Sequence, residues 1–373
     1  MIECLHIVHT ESSCGWGGQE IRTLTEMQGM AKRGHRVTLV CPREARIFAA
    51  AHERGLAVVS LPIVRKSIAG FLALYRWLLR EGRGIDVLNC HSSTDSWLVA
   101  LVCAVLADPP PVVRTRHVSS RVHRGCSNFW LYQRAVRHVV TTGEALRERL
   151  HSENGFRLDS MSSVPTGIDL DLFTPCDKHS ARARLGLPGS HYLGVLGTLR
   201  NWKGHTYLLD AFTALAPRFP EWRLLVIGDG PQRNNIERRV EELGLSQRVH
   251  MAGERNDVPL WLNALDVFVL PSYGEEGVPQ AIMQAMACGL PVVSTTVGAI
   301  REAVIDQETG IIVPPRDSAA LRDALARLFT DEALRERLGA AGFTRARKYF
   351  GIELMVDKME AVFQMHRRQG RAG

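Results

Sequence analysis

The sequence predicts an α/β protein of two doubly wound domains, each a parallel sheet with helices on both faces. Three observations predict it. The chain has 373 residues, more than one hydrophobic core ordinarily serves, so two domains of roughly 150 to 200 residues are expected. Short β-branched apolar runs alternate with longer amphipathic stretches, the pattern of repeated βαβ units. That alternation occurs twice, on either side of a seam at Val164 to Pro175, where Pro165, Gly167 and Pro175 bracket the polar turn Ile168-Asp169-Leu170-Asp171.

Taken in order, the first half reads as strands at Cys4–His9, Val37–Val40, Val87–Cys90, Val112–Arg116 and His138–Thr141, each a short apolar run that favours a half-buried or buried strand. Helices fall between them at Gln19–Arg33, Phe71–Arg80, Asp95–Leu106 and Ala145–His151. The second half repeats the arrangement with strands at Tyr192–Leu196, Leu224–Gly228, Val249–Met251, Val267–Leu270, Val292–Thr295 and Gly310–Val313. A helix from about Pro279 to Cys288 has Pro near its first position and Gly289 after its end, as helix boundaries prefer. The last segment, Phe350–Arg368, reads as a helix with several apolar positions that packs on the body; the pattern does not say where. The domain boundaries expected are 1–168, 169–350 and a terminal helix over 351–373.

Composition narrows the function classes. With 45% hydrophobic and 23% charged residues, the chain is neither disordered, collagenous nor coiled-coil. No apolar run reaches the roughly 18 residues that a membrane-spanning helix needs, and Met1–Val8 passes into His9 without a basic stretch or cleavage site. The expectation is a cytoplasmic protein. Eight cysteines stand singly, with no Cys-x-x-Cys or Cys/His cluster suited to zinc, so reduced thiols are expected. The net charge of +7, carried more by the first half, points to an acidic partner, whether phosphate, anionic lipid or nucleic acid.

Three stretches carry chemistry. Cys14-Gly15-Trp16-Gly17-Gly18-Gln19-Glu20 lies between the first strand and first helix, where Gly17 and Gly18 let backbone approach a ligand beside free helix N–H groups. It fits Gly-x-Gly-x-x-Gly poorly, and Cys41-Pro42 stands where an acidic residue would close a dinucleotide site, so such a cofactor is disfavoured. After the strand ending at Gly197, the loop Thr198-Leu199-Arg200-Asn201-Trp202-Lys203-Gly204-His205 carries Arg200, which can grip phosphate bidentately, and Lys203, a point charge. Third, Pro271-Ser272-Tyr273-Gly274-Glu275-Glu276-Gly277-Val278-Pro279-Gln280 leads from a buried strand through carboxylates into a helix on which Gln280 and Gln284 share one face. For each the bland alternative is a tight turn or solvated surface charge.

The stretch Pro271–Val293 resembles the signature of retaining nucleotide-sugar glycosyltransferases of family 4, whose GT-B architecture sets two Rossmann-like domains facing across a cleft. Their motif of Glu, seven residues and Glu aligns Glu276 with the first carboxylate and Gln284 with the second. Gly17-Gly18-Gln19-Glu20, Val164-Pro165-Thr166-Gly167-Ile168-Asp169, Lys203-Gly204-His205, Gly228-Asp229-Gly230-Pro231 and Val292-Val293-Ser294-Thr295 resemble further motifs of the family, so the likeness spans nearly the whole chain. Two positions depart from it. The second Glu is Gln284, and the basic residue usual just after the strand's glycine is Thr198, with Arg200 two positions later as its substitute.

The resemblance implies a site. Glu276 would contact hydroxyls of the donor sugar, backbone N–H groups along the stretch Gly277-Val278-Pro279-Gln280, where Pro279 itself has none to give, would support sugar and phosphates, and Gln284 would meet the ribose. Arg200 and Lys203 would neutralise charge on the leaving diphosphate, so no metal and no resident cofactor are expected. His117, just past a first-domain strand in Val113-Arg114-Thr115-Arg116-His117-Val118, is similar to the family's active-site histidine near the transferred sugar. Arg114, Arg116, Arg121 and Arg124 beside it fit either an anionic acceptor or a solvated basic rim. Asp169-Leu170-Asp171 is assigned no metal, since Asp favours turns in a linker. Val64–Arg80 combines cations with Phe71, Tyr75, Trp77 and leucines; a helix burying its stripe on the sheet accounts for most of these, and peripheral contact with an anionic membrane at its inner face is the other reading.

The function expected is retaining, metal-independent transfer of a sugar from a UDP- or GDP-sugar to an acceptor hydroxyl on a saccharide or lipid-linked acceptor, in bacterial surface glycan synthesis. The alternatives are a nucleotide-sugar epimerase of the same architecture and a non-catalytic carbohydrate-binding protein. Nucleic-acid binding is not expected, because no helix-turn-helix, zinc or aromatic-basic sheet motif is present.

Overall fold

Most strands form at short apolar runs and pair in parallel. The computed structural model describes residues 3–118, 120–274 and 276–368; Glu275, from the stretch Pro271–Gln280, lies outside them. The chain divides into two units, one comprising the chain up to Gly167 together with Ile352 onward, the other Ile168–Gly351.

The first unit is built on seven strands, β1 (His6–Thr10), β2 (Arg36–Cys41), β3 (Ala57–Ser60), β4 (Val87–Cys90), β5 (Val112–Arg116), β6 (His138–Thr141) and β7 (Met161–Ser163). All pairs are parallel, in the order β3-β2-β1-β4-β5-β6-β7. The order reverses between β1 and β4, where loops leaving the strands in opposite directions open a crevice suited to ligands. β3 and β7 have no counterpart in the pattern reading. Both are edge strands, and Met161-Ser162-Ser163 contains no β-branched residue; the ladder to β6 makes it a strand, not its composition.

The terminal helix, Ile352–His366, belongs to this first unit. Met355, Val356, Met359 and Phe363 join Leu24, Met27 and Met30 of the helix Gly18–Lys32 in one core against the sheet. Arg33 fastens its outer edge through Glu353, Asp357 and Glu360, and His35 meets the other oxygen of Glu360 at 2.8 Å. On the opposite face the helix Ile68–Glu81 buries Leu74, Trp77 and Leu78, while Ile68, Leu72 and Leu79 remain exposed beside Arg76 and Arg80. Among the described residues, no helix is long and apolar enough to cross a membrane.

The second unit has six parallel strands, β8 (His191–Leu196), β9 (Trp222–Ile227), β10 (Val249–Gly253), β11 (Val267–Leu270), β12 (Val292–Thr295) and β13 (Gly310–Val313). Their order is β10-β9-β8-β11-β12-β13, with the reversal between β8 and β11. The loops carrying Lys203 and Glu276 leave β8 and β11, the two strands at that reversal.

Candidate functional site

In the second unit two loops are locked together by backbone. Tyr273 N–H donates to the Trp202 carbonyl at 2.8 Å. Gly204 closes the first loop at φ +76°, and a Cβ there would fall 2.0 Å from the Pro271 carbonyl oxygen, so only glycine lets the loops meet. Gly298, at φ +56°, does the same on the other side, where a Cβ would lie 2.0 Å from the Glu276 carbonyl oxygen. That carbonyl accepts from Ala299 N–H at 3.0 Å. The backbone of Glu276 is thus held from β12's loop and its approach to Lys203 is fixed by the fold.

The side chains follow. Lys203 Nζ lies 2.8 Å from Glu276 Oε1, and Ser272 Oγ donates to the same oxygen at 2.8 Å. Lys203 and Glu276 are only 18% and 12% exposed. Gly277, Val278 and Pro279 then lead into the helix Gln280–Ala287, which buries Ile282, Met283, Ala285 and Met286 and leaves Gln280 and Gln284 on its accessible face, as the spacing predicts. Gln284 makes no side-chain hydrogen bond to another described residue. Arg200 is exposed and lies over the Trp202 ring at 5.2 Å, beside a small cavity shared with Asn201, His205, Asn235 and Arg239. The two cations of the loop therefore part, Lys203 toward Glu276 and Arg200 toward Trp202.

In the first unit the glycine loop follows β1 and leads into the helix Gly18–Lys32. Gly17 is extended, at φ −178°, a conformation open to any residue, so neither strain nor a tight turn requires glycine there. What organises the loop is Glu11. Its carboxylate is buried, accepts from Ser13 N–H at 2.8 Å, from Gln19 Nε2 at 2.5 Å and from Ser92 Oγ. Beside it Asp95 accepts from Thr10 Oγ1 at 2.7 Å, from Ser12 Oγ at 3.1 Å and from the backbone N–H groups of His91 and Ser92. Burial, then the neighbouring Asp95 charge, pushes Glu11 up to about 8, and burial pushes Asp95 up to about 6.

His117 stands at the end of β5, joined through its Nε2 to His91 Nδ1 at 2.8 Å; His91 Nε2 in turn meets His9 Nδ1 at 2.9 Å. Of the four arginines near it, Arg114 and Arg116 are buried in the unit, against the ring and the hydroxyl of Tyr132, while Arg121 and Arg124 are exposed. They do not form one cationic group. Asp169 accepts from Asp171 N–H at 3.1 Å and Leu172 N–H at 3.0 Å, the turn expected of it, and no cluster of three His, Cys, Asp or Glu suited to a metal occurs among the described residues.

Sequence reasoning missed Glu11, Asp95, Ser272, His9 and His91. A signal existed for the histidines: His9, His91 and His117 lie at or just past the carboxyl ends of three strands, and these prove to be neighbours in the sheet.

Comparison with known proteins identifies the family and the fold. The family profile described as glycosyltransferase family 4 matches residues 16–172, and that described as glycosyl transferases group 1 matches residues 190–331. The lipopolysaccharide core biosynthesis mannosyltransferase LpsB of Rhizobium meliloti is 32% identical over 300 residues, covering 78% of this chain and 82% of that one. The phosphatidyl-myo-inositol mannosyltransferase of Mycobacterium leprae is 27% identical over 352 residues, 89% of each chain. A glycosyltransferase structure from Rickettsia africae superposes with a TM-score of 0.86 at 17% identity, over 97% of this chain and 98% of that one. With both units matched in sequence and nearly the whole chain matched in fold, the chain belongs to the group 1 glycosyltransferases of family 4 and is an enzyme of GT-B fold.

Proposed function

We propose that this glycosyltransferase moves a sugar, with retention at the anomeric carbon and without a metal ion, from a UDP- or GDP-sugar to a hydroxyl of a saccharide or lipid-linked acceptor. The observation that carries the reading is the Lys203–Glu276–Ser272 cluster at the carboxyl ends of β8 and β11. A sheltered cation suits the charge that grows on a departing diphosphate, and a carboxylate beside it suits the hydroxyls of the sugar being released. Arg200 adds a second cation on the same loop, Gln284 offers an amide to the ribose, and His117 serves the transferred sugar from the first unit.

The LpsB relative, named for mannose transfer in lipopolysaccharide core synthesis, supports mannose as the sugar and a surface glycan as the product. The half-exposed apolar and basic face of the helix Ile68–Glu81 is the surface that would meet an anionic membrane at its cytoplasmic side. The test is a thermal-shift screen against UDP, GDP and their sugars, since ligand at about 100 times its dissociation constant stabilises by about 2.7 kcal/mol, followed by transfer with the donor so found in excess EDTA. An α-linked donor should give an α-linked product by NMR. Loss of transfer in EDTA restored by magnesium or manganese would remove the metal-free mechanism, and an inverted product would remove retention; a product of the donor's own mass without an acceptor would favour epimerisation.

A further inference from the structure

Three imidazoles climb across the carboxyl edge of the first sheet. His9 pairs with Asn89 across β1 and β4, and Asn89 pairs with Val113 across β4 and β5. His91 lies two residues beyond Asn89 and His117 four beyond Val113, so the alternation of strand side chains puts all three on one face. Their rings are 5.2 and 5.1 Å apart and linked by the two hydrogen bonds described above. Apolar core packs on this face, Ile7, Val87, Val113, Met27, Met359 and Phe363, the last with its ring edge-on to His9. A second polar row runs beside the first. Thr115 Oγ1 donates to Asn89 Oδ1 at 2.9 Å, and Asn89 Nδ2 donates to Glu26 Oε1 at 3.1 Å. Arg22 Nε stands 3.9 Å from the other Glu26 oxygen.

The row has one polarity. Burial lowers His9 to about 3 and holds His91 and His117 well below the usual imidazole range, so each ring is neutral and carries a single N–H. His91 uses both nitrogens and must donate through one link and accept through the other. If the protons point inward, the proton of His9 sits on Nε2, which is buried and has no partner among the described residues. If they point outward, that nitrogen is a bare lone pair and the proton of His9 sits on Nδ1, 3.9 Å from Glu26 Oε1. A buried orphan N–H is the more costly defect, and the carboxylate favours a proton on the nitrogen that faces it. The outward polarity wins on both counts.

We propose that His9 and His91 are positioning residues that hold His117 as its neutral Nδ1-protonated tautomer, so that the first unit presents a hydrogen-bond donor to an oxygen of the saccharide substrate. This rests on the reading of His117 as a substrate contact. His117 then steadies a lone pair and removes no proton from the acceptor.

The tautomer is read directly by long-range proton–nitrogen correlation spectra of protein labelled with 15N-histidine, at pH 8, with assignment by His117→Asn. The expected spectrum shows His117 protonated at Nδ1, and His9→Phe, which deletes the first donor, releases it to a mixture. His9→Asn, whose amide can donate from the place of Nδ1, preserves the parent tautomer and serves if His9→Phe does not fold. An Nε2-protonated His117 in the parent, or a tautomer unmoved by His9→Phe, overturns the proposal. Kinetics separate the substrate contact: His117→Gln, which sets the N–H at the place of Nε2, has a kcat/KM about tenfold below that of His117→Asn, which sets it where Nδ1 was, the worth of one hydrogen bond. If His117→Ala transfers as well as the parent while the tautomer is as expected, the substrate contact is overturned and the polarity of the row stands.

Discussion

Replacing Lys203 by Ala tests the proposed site most sharply, because it perturbs both the fold and the chemistry in separable ways. At 2.8 Å and an effective dielectric of about 20, the attraction between Lys203 and Glu276 is about 6 kcal/mol before desolvation. Burying the two charges offsets most of that, and Ser272 still donates to Glu276 when the lysine is gone. The stability loss expected is therefore about 1 to 3 kcal/mol, below the 3 to 5 kcal/mol typical of a fully buried charge left alone. The catalytic loss is expected to be larger: removing one preorganised electrostatic group costs about two to three orders of magnitude in rate, or about 3 to 4 kcal/mol. The assay is kcat/KM for transfer alongside the thermal midpoint, in Lys203→Ala, Glu276→Gln and the double variant. Neutralising Glu276 removes the unpaired charge, so the double variant should regain stability and stay inactive. Parent-like kcat/KM in Lys203→Ala refutes the role of the lysine. Activity restored together with stability in the double variant refutes it too, since the single loss would then be a folding defect of the loop.

Three further outcomes follow from particular residues. A carboxylate accepts stronger hydrogen bonds than an amide, so Gln284→Glu should bind the cognate nucleoside diphosphate as tightly as the parent or up to about fivefold tighter, and Gln284→Ala more weakly; calorimetry showing Gln284→Ala equal to the parent removes Gln284 from the ribose. Glu11, raised to about 8, binds its proton more tightly when folded, so its contribution is present at acid pH and lost as pH rises to 8, while His9, lowered to about 3, adds stability with rising pH only up to its unfolded value near 6.5. The thermal midpoint should therefore fall between pH 6.5 and 8, and Glu11→Gln should flatten that slope; an unchanged slope assigns it elsewhere, Glu26 at about 7 being the next candidate. Arg76→Glu with Arg80→Glu should weaken sedimentation with anionic vesicles by about tenfold or more, at about 1 kcal/mol for each basic residue near the surface, and a parent that does not sediment with them ends the membrane reading.

Much of the site was legible because its residues lie in contiguous loops at strand ends. The run from Pro271 to Gly289 contains a strand exit, a carboxylate and a helix start in one stretch, and the structure keeps that order with Gln280 and Gln284 on the accessible face. Thr198, Arg200 and Lys203 sit likewise on one loop, but their directions do not follow from spacing. Arg200 turns over Trp202, whose carbonyl is held by Tyr273 from another loop, and only pairing across β8 and β11 brings that second loop near.

The sequence by itself determined what depends on neighbours along the chain. Periodicity of two and of 3.6 gave most strands and helices, the interior strands β4, β5, β6, β11 and β12 and the edge strand β13 to the residue, because a strand covered on both faces carries a short, largely apolar run bounded by polar turns. Tertiary structure alone decided what depends on neighbours across it. The edge strands β3 and β7 exist through hydrogen bonds to partners. The terminal helix joins the first unit because its apolar stripe fills the space beside Leu24 and Met27, more than 300 residues back along the chain. Glu11 and Asp95 shift their protons because burial, a property of the assembled core, withdraws water from both. His9, His91 and His117 become one row only when strand order places β1, β4 and β5 side by side, and that order is set by which faces bury most surface, a sum over the whole sheet that no local pattern contains.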